Sequence, residues 1–332
     1  MASNVSFSPK EWEVWLLGEG TLGTAVTASS GMYQLDVDSI SMPSLNVTQQ
    51  LDVRSSTGRT LKTKDFFQDN NLRVVEVSLS GRFHDDTAHK ALLENITSVS
   101  GTSDFTVPSG YTPEALKYGD SETAADFDTF TLVLKSPDPT SNSKNIEMPG
   151  CVVTNFVLSA DSTADGGMYK WSATIQTGAP CDFAEGTNAG GTAYVNTDFF
   201  TLGSATGTEV LNADCTLTSF SLTLDNPAIF VGAKLDAAGY EVINRGAEFS
   251  VNLDCQVKYD NLTDEFINVF DTQTGAFTTN YPFKITASNA GGVQIDNAII
   301  TNVALSEGDL MMLDVSMKSV DDGTDALLTL DF

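Results

Sequence analysis

Basic residues are scarce in this chain: 17 lysines and arginines stand against 44 aspartates and glutamates, for a net charge of −27 over 332 residues. A surface this acidic repels polyanions, which argues against a nucleic-acid reader built on phosphate contacts. A wall past which DNA slides without sticking is compatible with it, and so is plain solubility in a salty medium. Histidine is limited to His84 and His89. The cysteines Cys151, Cys181, Cys215 and Cys255 lie far apart with no CxxC pair. They read as small buried hydrophobes in a reducing cytoplasm, and no zinc site is expected. No run of about 18 apolar residues suggests a membrane span. The start, MASNVSFSPKEWEVW, lacks the basic-then-apolar order of a secretory signal.

Catalytic and cofactor motifs are equally thin. In VWLLGEGTLG, Gly18, Gly20 and Gly23 keep the GxGxxG spacing, but TAVTASSG follows. That stretch is too short and too β-branched for the crossover helix a dinucleotide site needs, so the region reads as a turn-rich N-terminal arm. DSTADGG (161–167) and VDDGTD (320–325) look faintly like calcium loops. They lack the alternating ligands and distal glutamate between two helices, and Asp-Gly is ordinary hairpin chemistry. There is no GxSxG elbow, and any Ser/His/Asp triad would have to use one of the two histidines. No catalytic, cofactor-binding or metal-ligating residue is assigned, and the chain reads as a non-enzyme.

What is present is alternation. In RVVEVSLSGRF, Val75, Val77, Leu79 and Phe83 point one way while Glu76, Ser78, Ser80 and Arg82 point the other. EFSVNLDCQV repeats the device, with Phe249, Val251, Leu253 and Cys255 against Ser250, Asn252 and Asp254. A one-residue slip would exchange the faces, so register is well specified. Each run leads into a helical pattern with an aspartate, Asp86 or Asp260, placed as N-cap. Ala88, Leu92 and Ile96 then share one face in the first copy, and Leu262, Phe266, Val269 and Phe270 in the second. His84 and His89 flank only the first helix start, which suggests a surface or capping role.

The two runs are parts of a longer echo. VSLSGRFHDDTAHKALLENI (77–96) matches VNLDCQVKYDNLTDEFINVF (251–270) class by class, although only three positions are identical. FTLVL (130–134) answers FKITA (283–287), CVVTNFVLS (151–159) answers AIITNVALS (298–306), and WSATIQT (171–177) answers LDVSMKS (313–319). The offset falls from 174 to 153, 147 and 142, so the first copy carries extra chain after its helix. The expected organisation is an arm at 1–42, a first unit at 43–183 with an inserted loop at 97–127, a connector at 184–211 and a second unit at 212–332. The fold class is mainly β, with two tandem β-sandwich or tube-type domains, each flanked by one short α-helix.

This duplicated strand–helix–strand unit, with PGCVVTNFVLSADSTADGGMYKWSATIQTG downstream and its echo in the second half, resembles the tail tube (major tail) proteins of long-tailed bacteriophages. The resemblance spans most of residues 45–332. It implies a β-sandwich with one helix, six-unit rings stacked into a hollow tube, and a lumen that conducts DNA without binding it specifically. Three duplicated chains would then complete a pseudo-sixfold ring in the virion tail, made in the host cytoplasm, with other tail proteins as partners and no cofactor or membrane insertion. The polar strand faces are the candidate lumen lining: Glu76, Ser78, Ser80, Ser172, Thr174, Gln176, Ser250, Asn252, Asp254, Asp314 and Ser316. A competing placement turns them to outside solvent. Other functions stay open. One is an adhesin or carbohydrate-binding sandwich using Tyr111 and Tyr118 as exposed aromatics, and another is a capsid decoration or tail-terminator protein.

Overall fold

The computed structural model describes residues 8–26, 30–43, 48–51, 66–69, 73–99, 104–123, 126–137, 145–183, 189–197, 199–210, 213–234, 239–245, 248–259, 283–287, 291–306 and 310–332. The chain is mainly β. Its first strands are β1 (Glu13–Gly18), β2 (Met32–Leu35), β3 (Ser39–Ser41), β4 (Thr48–Leu51), β5 (Phe66–Asp69) and β6 (Val75–Arg82). Helix α1 (Thr87–Thr97) follows, then β7 (Asp104–Val107), β8 (Leu116–Lys117), β9 (Phe130–Lys135), β10 (Ile146–Asp161) and β11 (Lys170–Thr177). After β12 (Gly191–Thr192) come β13 (Ala205–Val210), β14 (Ala213–Asp214), β15 (Leu217–Asp225), β16 (Ile229–Ala233), β17 (Tyr240–Asn244) and β18 (Ser250–Lys258). The last are β19 (Phe283–Ala287), β20 (Gly292–Ile295), β21 (Ala298–Ser306), β22 (Met312–Ser319) and β23 (Leu328–Asp331).

The 16-residue strand β10 belongs to two sheets. Its first residues pair with β9, and its remainder pairs with β11 on one side and β15 on the other. The change of partner happens around Pro149-Gly150. Gly150 has φ 63°, and a Cβ there would lie 2.7 Å from the Tyr118 ring, so the turning point admits only glycine. Beyond it, the strands run β3-β6-β11-β10-β15-β18-β22-β21 in one continuous sheet. Before it, β12-β2-β1-β9 form a second wall. A six-stranded sheet, β14-β13-β19-β20-β23-β7, completes the packing. One buried cluster runs through strands of all three and through α1, from Val14 and Leu79 to Phe283 and Leu330.

The alternation read from the sequence sets these layers. Val75, Val77, Leu79 and Phe83 are buried while Glu76 is exposed, and Val251, Leu253 and Cys255 repeat the pattern on β18. Strand pairing recurs between the halves. β1·β9, β9·β10, β10·β11 and β11·β6 are mirrored by β13·β19, β19·β20, β21·β22 and β22·β18, all antiparallel. Even a ladder irregularity recurs, between Val153 and Asn155 in one half and between Ile300 and Asn302 in the other. Both fall on the shared Thr-Asn step, Thr154-Asn155 and Thr301-Asn302. Such a β-bulge bends its strand and leaves ladder groups to be satisfied elsewhere.

At the first bulge, side chains supply the missing partners. Asn95 Oδ1 accepts from Val153 N at 2.6 Å, and its Nδ2 donates to Phe127 O and Asp128 O at 2.6 and 2.8 Å. Buried Arg245 donates through Nη1 to Val153 O and Asn226 O, both at 2.9 Å, and through Nη2 to Asn95 Oδ1 at 3.1 Å. Asn226 Nδ2 closes the last turn of α1 on Ile96 O at 2.8 Å. A second knot sits before the crossover. The fully buried Glu19 carboxylate accepts from Gly23 N, Thr129 Oγ1, Thr131 Oγ1 and Gly150 N, all within 2.8 Å. Burial raises its pKa, against the pull of those four donors.

Several expectations change on contact with the structure. The segment read as an N-terminal arm holds β1, whose Val14 and Leu16 are buried between β2 and β9. The stretch read as a loop at 97–127 holds β7 and β8. Phe105 and Val107 are core residues, and β7 pairs with β23 of the other half. The connector at 184–211 supplies β12 and β13. In β1 and β7, an apolar alternation too short to weigh by itself is completed by a distant partner strand. The turn at 161–167 does join a hairpin, β10 to β11, but 320–325 links β22 to β23 in another sheet. Asp86 caps α1 as expected, accepting from His89 N at 2.9 Å. The second helix, expected at 260–270, lies outside the described residues.

Replacing Asn95 with leucine strands Val153 N, the carbonyls of residues 127 and 128, and one arm of a buried guanidinium. The expected loss is about 3–5 kcal/mol. Urea denaturation checks it against Ser78→Ala, a substitution on the polar face that should stay within about 0.5 kcal/mol of the parent.

Candidate lumen face

All eleven candidate residues lie on one face of the eight-stranded sheet, brought into cross-strand rows by register. One row runs Ser39, Ser80, Ser172, Val157, Thr223, Asn252, Lys318 and Ile299. A second runs Ser41, Ser78, Thr174, Asn155, Asp225 and Ser250, and a third joins Ser159, Ser221, Asp254, Ser316 and Asn302. Glu76 faces Gln176, with Gln176 Nε2 donating to Glu76 Oε2 at 2.7 Å. Asp314 faces Gln256, which donates to it at 2.8 Å. Glu76 and Asp254 are exposed and the other nine candidates are half-buried.

The face also holds residues that the sequence reading did not assign. Asn155, Ser159 and Asp161 come from β10, and Ser219, Ser221, Thr223 and Asp225 from β15. Their alternation is plain in FVLSAD and SFSLTLD, but sequence does not say that β10 and β15 pair and so join the two polar stripes into one. A trough of about 550 Å³ lies on this face, with Asp161, Asp254 and Asp314 along it and Ser221 and Ser316 between. Hydrogen bonds from Thr163 hold the Asp161 carboxyl below the usual aspartate range. Cations on the face are few and mostly matched. Lys318 pairs with Glu248 at 2.8 Å, Lys170 pairs with Asp165, Arg82 stands opposite Lys170 at the end of the ladder, and exposed Lys258 closes β18 on the same face.

The ends of this sheet differ. β3 covers only Ser78 to Ser80 of β6. β21, nine residues long, has no strand on its outer side among the described residues. Ile299 and Leu305 on β21 are exposed, as are Leu310 and Met311 next to it. Such an edge is a template for pairing unless something covers it.

The residues once weighed for other functions are engaged inside the fold. Both histidines are fully buried, so a surface role is excluded for them. His84 Nε2 meets Asp36 Oδ2 and His89 Nδ1 meets Asp86 Oδ1, each at 2.7 Å, with the two rings 5.2 Å apart. The carboxylates make that burial tolerable, because a buried imidazole needs a partner. His89 N is the amide that Asp86 caps, while its ring meets the same carboxylate. Tyr118 is buried, with its hydroxyl donating to Gly150 O at 2.8 Å and accepting from Gly178 N at 3.2 Å, and is not an exposed binding aromatic. Tyr111 is half-buried against Phe249. Cys151 and Cys255 are buried, Cys181 and Cys215 half-buried, and all four are free thiols.

Asp36 gives this cluster a pH signature. Burial alone would raise its carboxyl, but the hydrogen bond to His84 and the electrostatic pull of His84 and Arg82 outweigh it and hold the pKa below the aspartate value. A depressed carboxyl stabilises the fold above its unfolded pKa, and that contribution is lost as pH falls through the folded pKa. Asp36→Asn keeps an acceptor for His84 but removes the charge. Urea midpoints should show a deficit against the parent at about pH 6 that closes towards about pH 3. A deficit that is constant over that range would contradict the assignment.

No curated protein matches the chain. Among solved structures, a chain in the virion of a native gene transfer agent particle is similar at 15% identity and a TM-score of 0.24, over 38% of this chain and 87% of that one. An overlap that loose decides nothing about the fold here. A family model described as phage tail tube protein matches residues 14–319, from within β1 to the end of β22. The match takes in both halves and the whole eight-stranded sheet, and the chain belongs to the phage tail tube protein family.

Proposed function

We propose that this chain builds the hollow tail tube as a ring of three subunits, each contributing two tube-like units, and that the polar sheet face lines the bore. The observation that carries the reading is the recurring pairing pattern with its bulge at the same Thr-Asn step, which supports reading the halves as two copies of one building block. The units correspond to 43–183 and 212–332, with β1 and β13 drawn in from the segments before each. Because β10 and β15 pair, both units of a chain share one sheet. Joining the β21 edge of one subunit, which has no outer strand among the described residues, to the β3 end of the next would close that sheet into a ring. Head-to-tail stacking of rings then extends the tube, with other tail proteins at its ends. Synthesis in the host cytoplasm suits the four free thiols.

Hydroxyls and carboxylates suit a conduit for DNA. A lysine touching phosphate displaces counterions and holds the strand, whereas an acidic, hydroxyl-rich wall offers no such grip. Native mass spectrometry of the assembled form should give three chains per ring. Six chains per ring, or a monomer at every concentration, would refute the duplicated-unit ring. Replacing Glu76, Asp254 and Asp314 together with lysine should permit tubes but slow or block DNA ejection. Normal ejection by tubes of the triple variant would place those residues away from the bore.

A further inference from the structure

A hollow of about 530 Å³ opens between the 111–113 turn, Phe249 and the paired positions Ile299 and Lys318 of β21 and β22. Tyr111, Pro113, Phe249, Ile299 and Leu327 give it an apolar side, and Thr112, Glu248, Lys318, Ser319 and Asp321 a polar one. Tyr111 and Phe249 meet edge to face with centroids 5.1 Å apart. At its floor lies Arg245, only 1% exposed. Its Nη atoms are committed to the backbone and side-chain oxygens of the bulge, but Nε has no hydrogen-bond partner. The Tyr111 hydroxyl, also buried, stands near Ser98 and Asn226 without closing a hydrogen bond to either.

The charges around this floor are unevenly matched. Among the described residues no carboxylate is in ion-pair contact with Arg245, and Asp128 acts on it only from a distance. The acids at the rim are already engaged. Glu248 holds Lys318 at 2.8 Å, and Asp321 accepts from Ser109 Oγ, Gly110 N and Gly323 N at 2.7 to 2.8 Å. Among the described residues, this buried cation with an unpartnered Nε–H therefore has no carboxylate as complement, and burying charge unpaired is costly.

We propose that this cleft is a receptor for a carboxylate carried on an apolar body, the carboxylate meeting Arg245 Nε and the Tyr111 hydroxyl while the body packs on Phe249 and Ile299. The carboxylate has two conceivable sources: an acidic side chain of a second copy, since Ile299 lies on the bare β21 edge, or a free organic acid. Dilute, unassembled full-length chain is titrated with hexanoate and separately with hexanamide, its neutral isostere, by methyl-detected NMR. Shifts at Ile299 and Leu327 with hexanoate, at least about tenfold tighter than with hexanamide, are expected. Ile299→Glu, at an exposed position that leaves the core alone, sets a tethered acid at the mouth and should abolish the hexanoate response. Equal affinity for both probes, or no response to either, overturns the proposal and leaves the cleft a water site.

The source is read from rod growth by light scattering in the presence of hexanoate. Slowed growth assigns the carboxylate to a second copy. Unchanged growth with binding intact assigns it to a free acid. If rods never form, the tube reading fails while the hexanoate result still stands.

Discussion

One strand has to belong to two sheets, and the rest of the structure follows from that. β10 passes an irregularity at Pro149-Gly150, keeps β9 as far as Cys151, and continues between β11 and β15. A strand changing partners leaves backbone groups without a ladder, in a place where water cannot serve them. Glu19 serves the crossover from one side and the Asn95–Arg245–Asn226 set serves the bulge from the other. These polar groups are buried because the geometry of β10 requires them, and each is drawn from a different element. They therefore fix α1, the approach to β9, the end of β15 and the segment after β17 to a single point.

That point decides what the polar face can be. With β10 bent and bulged, its far portion lies flat beside β15, and two stripes of alternating polar residues become one surface. Without the bend, the first half's stripe would end at β10 and the second half's would begin on a separate sheet. The acidic composition and the continuous face thus act at different scales. Composition keeps the molecule from gripping polyanions anywhere, while register gathers serines, threonines and carboxylates onto one side.

Alternation made much of this legible. A period of two assigns faces residue by residue, so Val77 against Ser78 and Leu253 against Asp254 could be read without a structure. The helix start at Asp86 was legible because a capping aspartate before a 3.6-residue pattern is a local signal. What sequence could not reveal was pairing between distant strands. The four residues of β7 mean little until β23 lies beside them, and β1 looked like an arm because its partner β9 is over a hundred residues away. Tyr118 and the histidines misled for a related reason. Their burial depends on partners, Gly150, Asp36 and Asp86, that only the folded chain brings within hydrogen-bond reach.

The two halves share the bulge, but the sequence does not repeat the first bulge's asparagine anchor. Aligned by the echo, the position of Asn95 in the second copy is Val269, a side chain with no hydrogen-bonding atom. The second bulge, at Ile300 to Asn302, sits on β21, which has no strand on its outer side among the described residues, while the first sits mid-sheet between β11 and β15. This difference has a physical logic. In mid-sheet the irregular backbone is sealed on both sides, so its groups need buried side chains, and one of these can be a charge as costly as Arg245. At the edge, solvent or a neighbouring strand can serve the same groups. The same irregularity thus meets two surroundings: in mid-sheet, buried side chains lock it, while on β21 no strand lies on its outer side among the described residues.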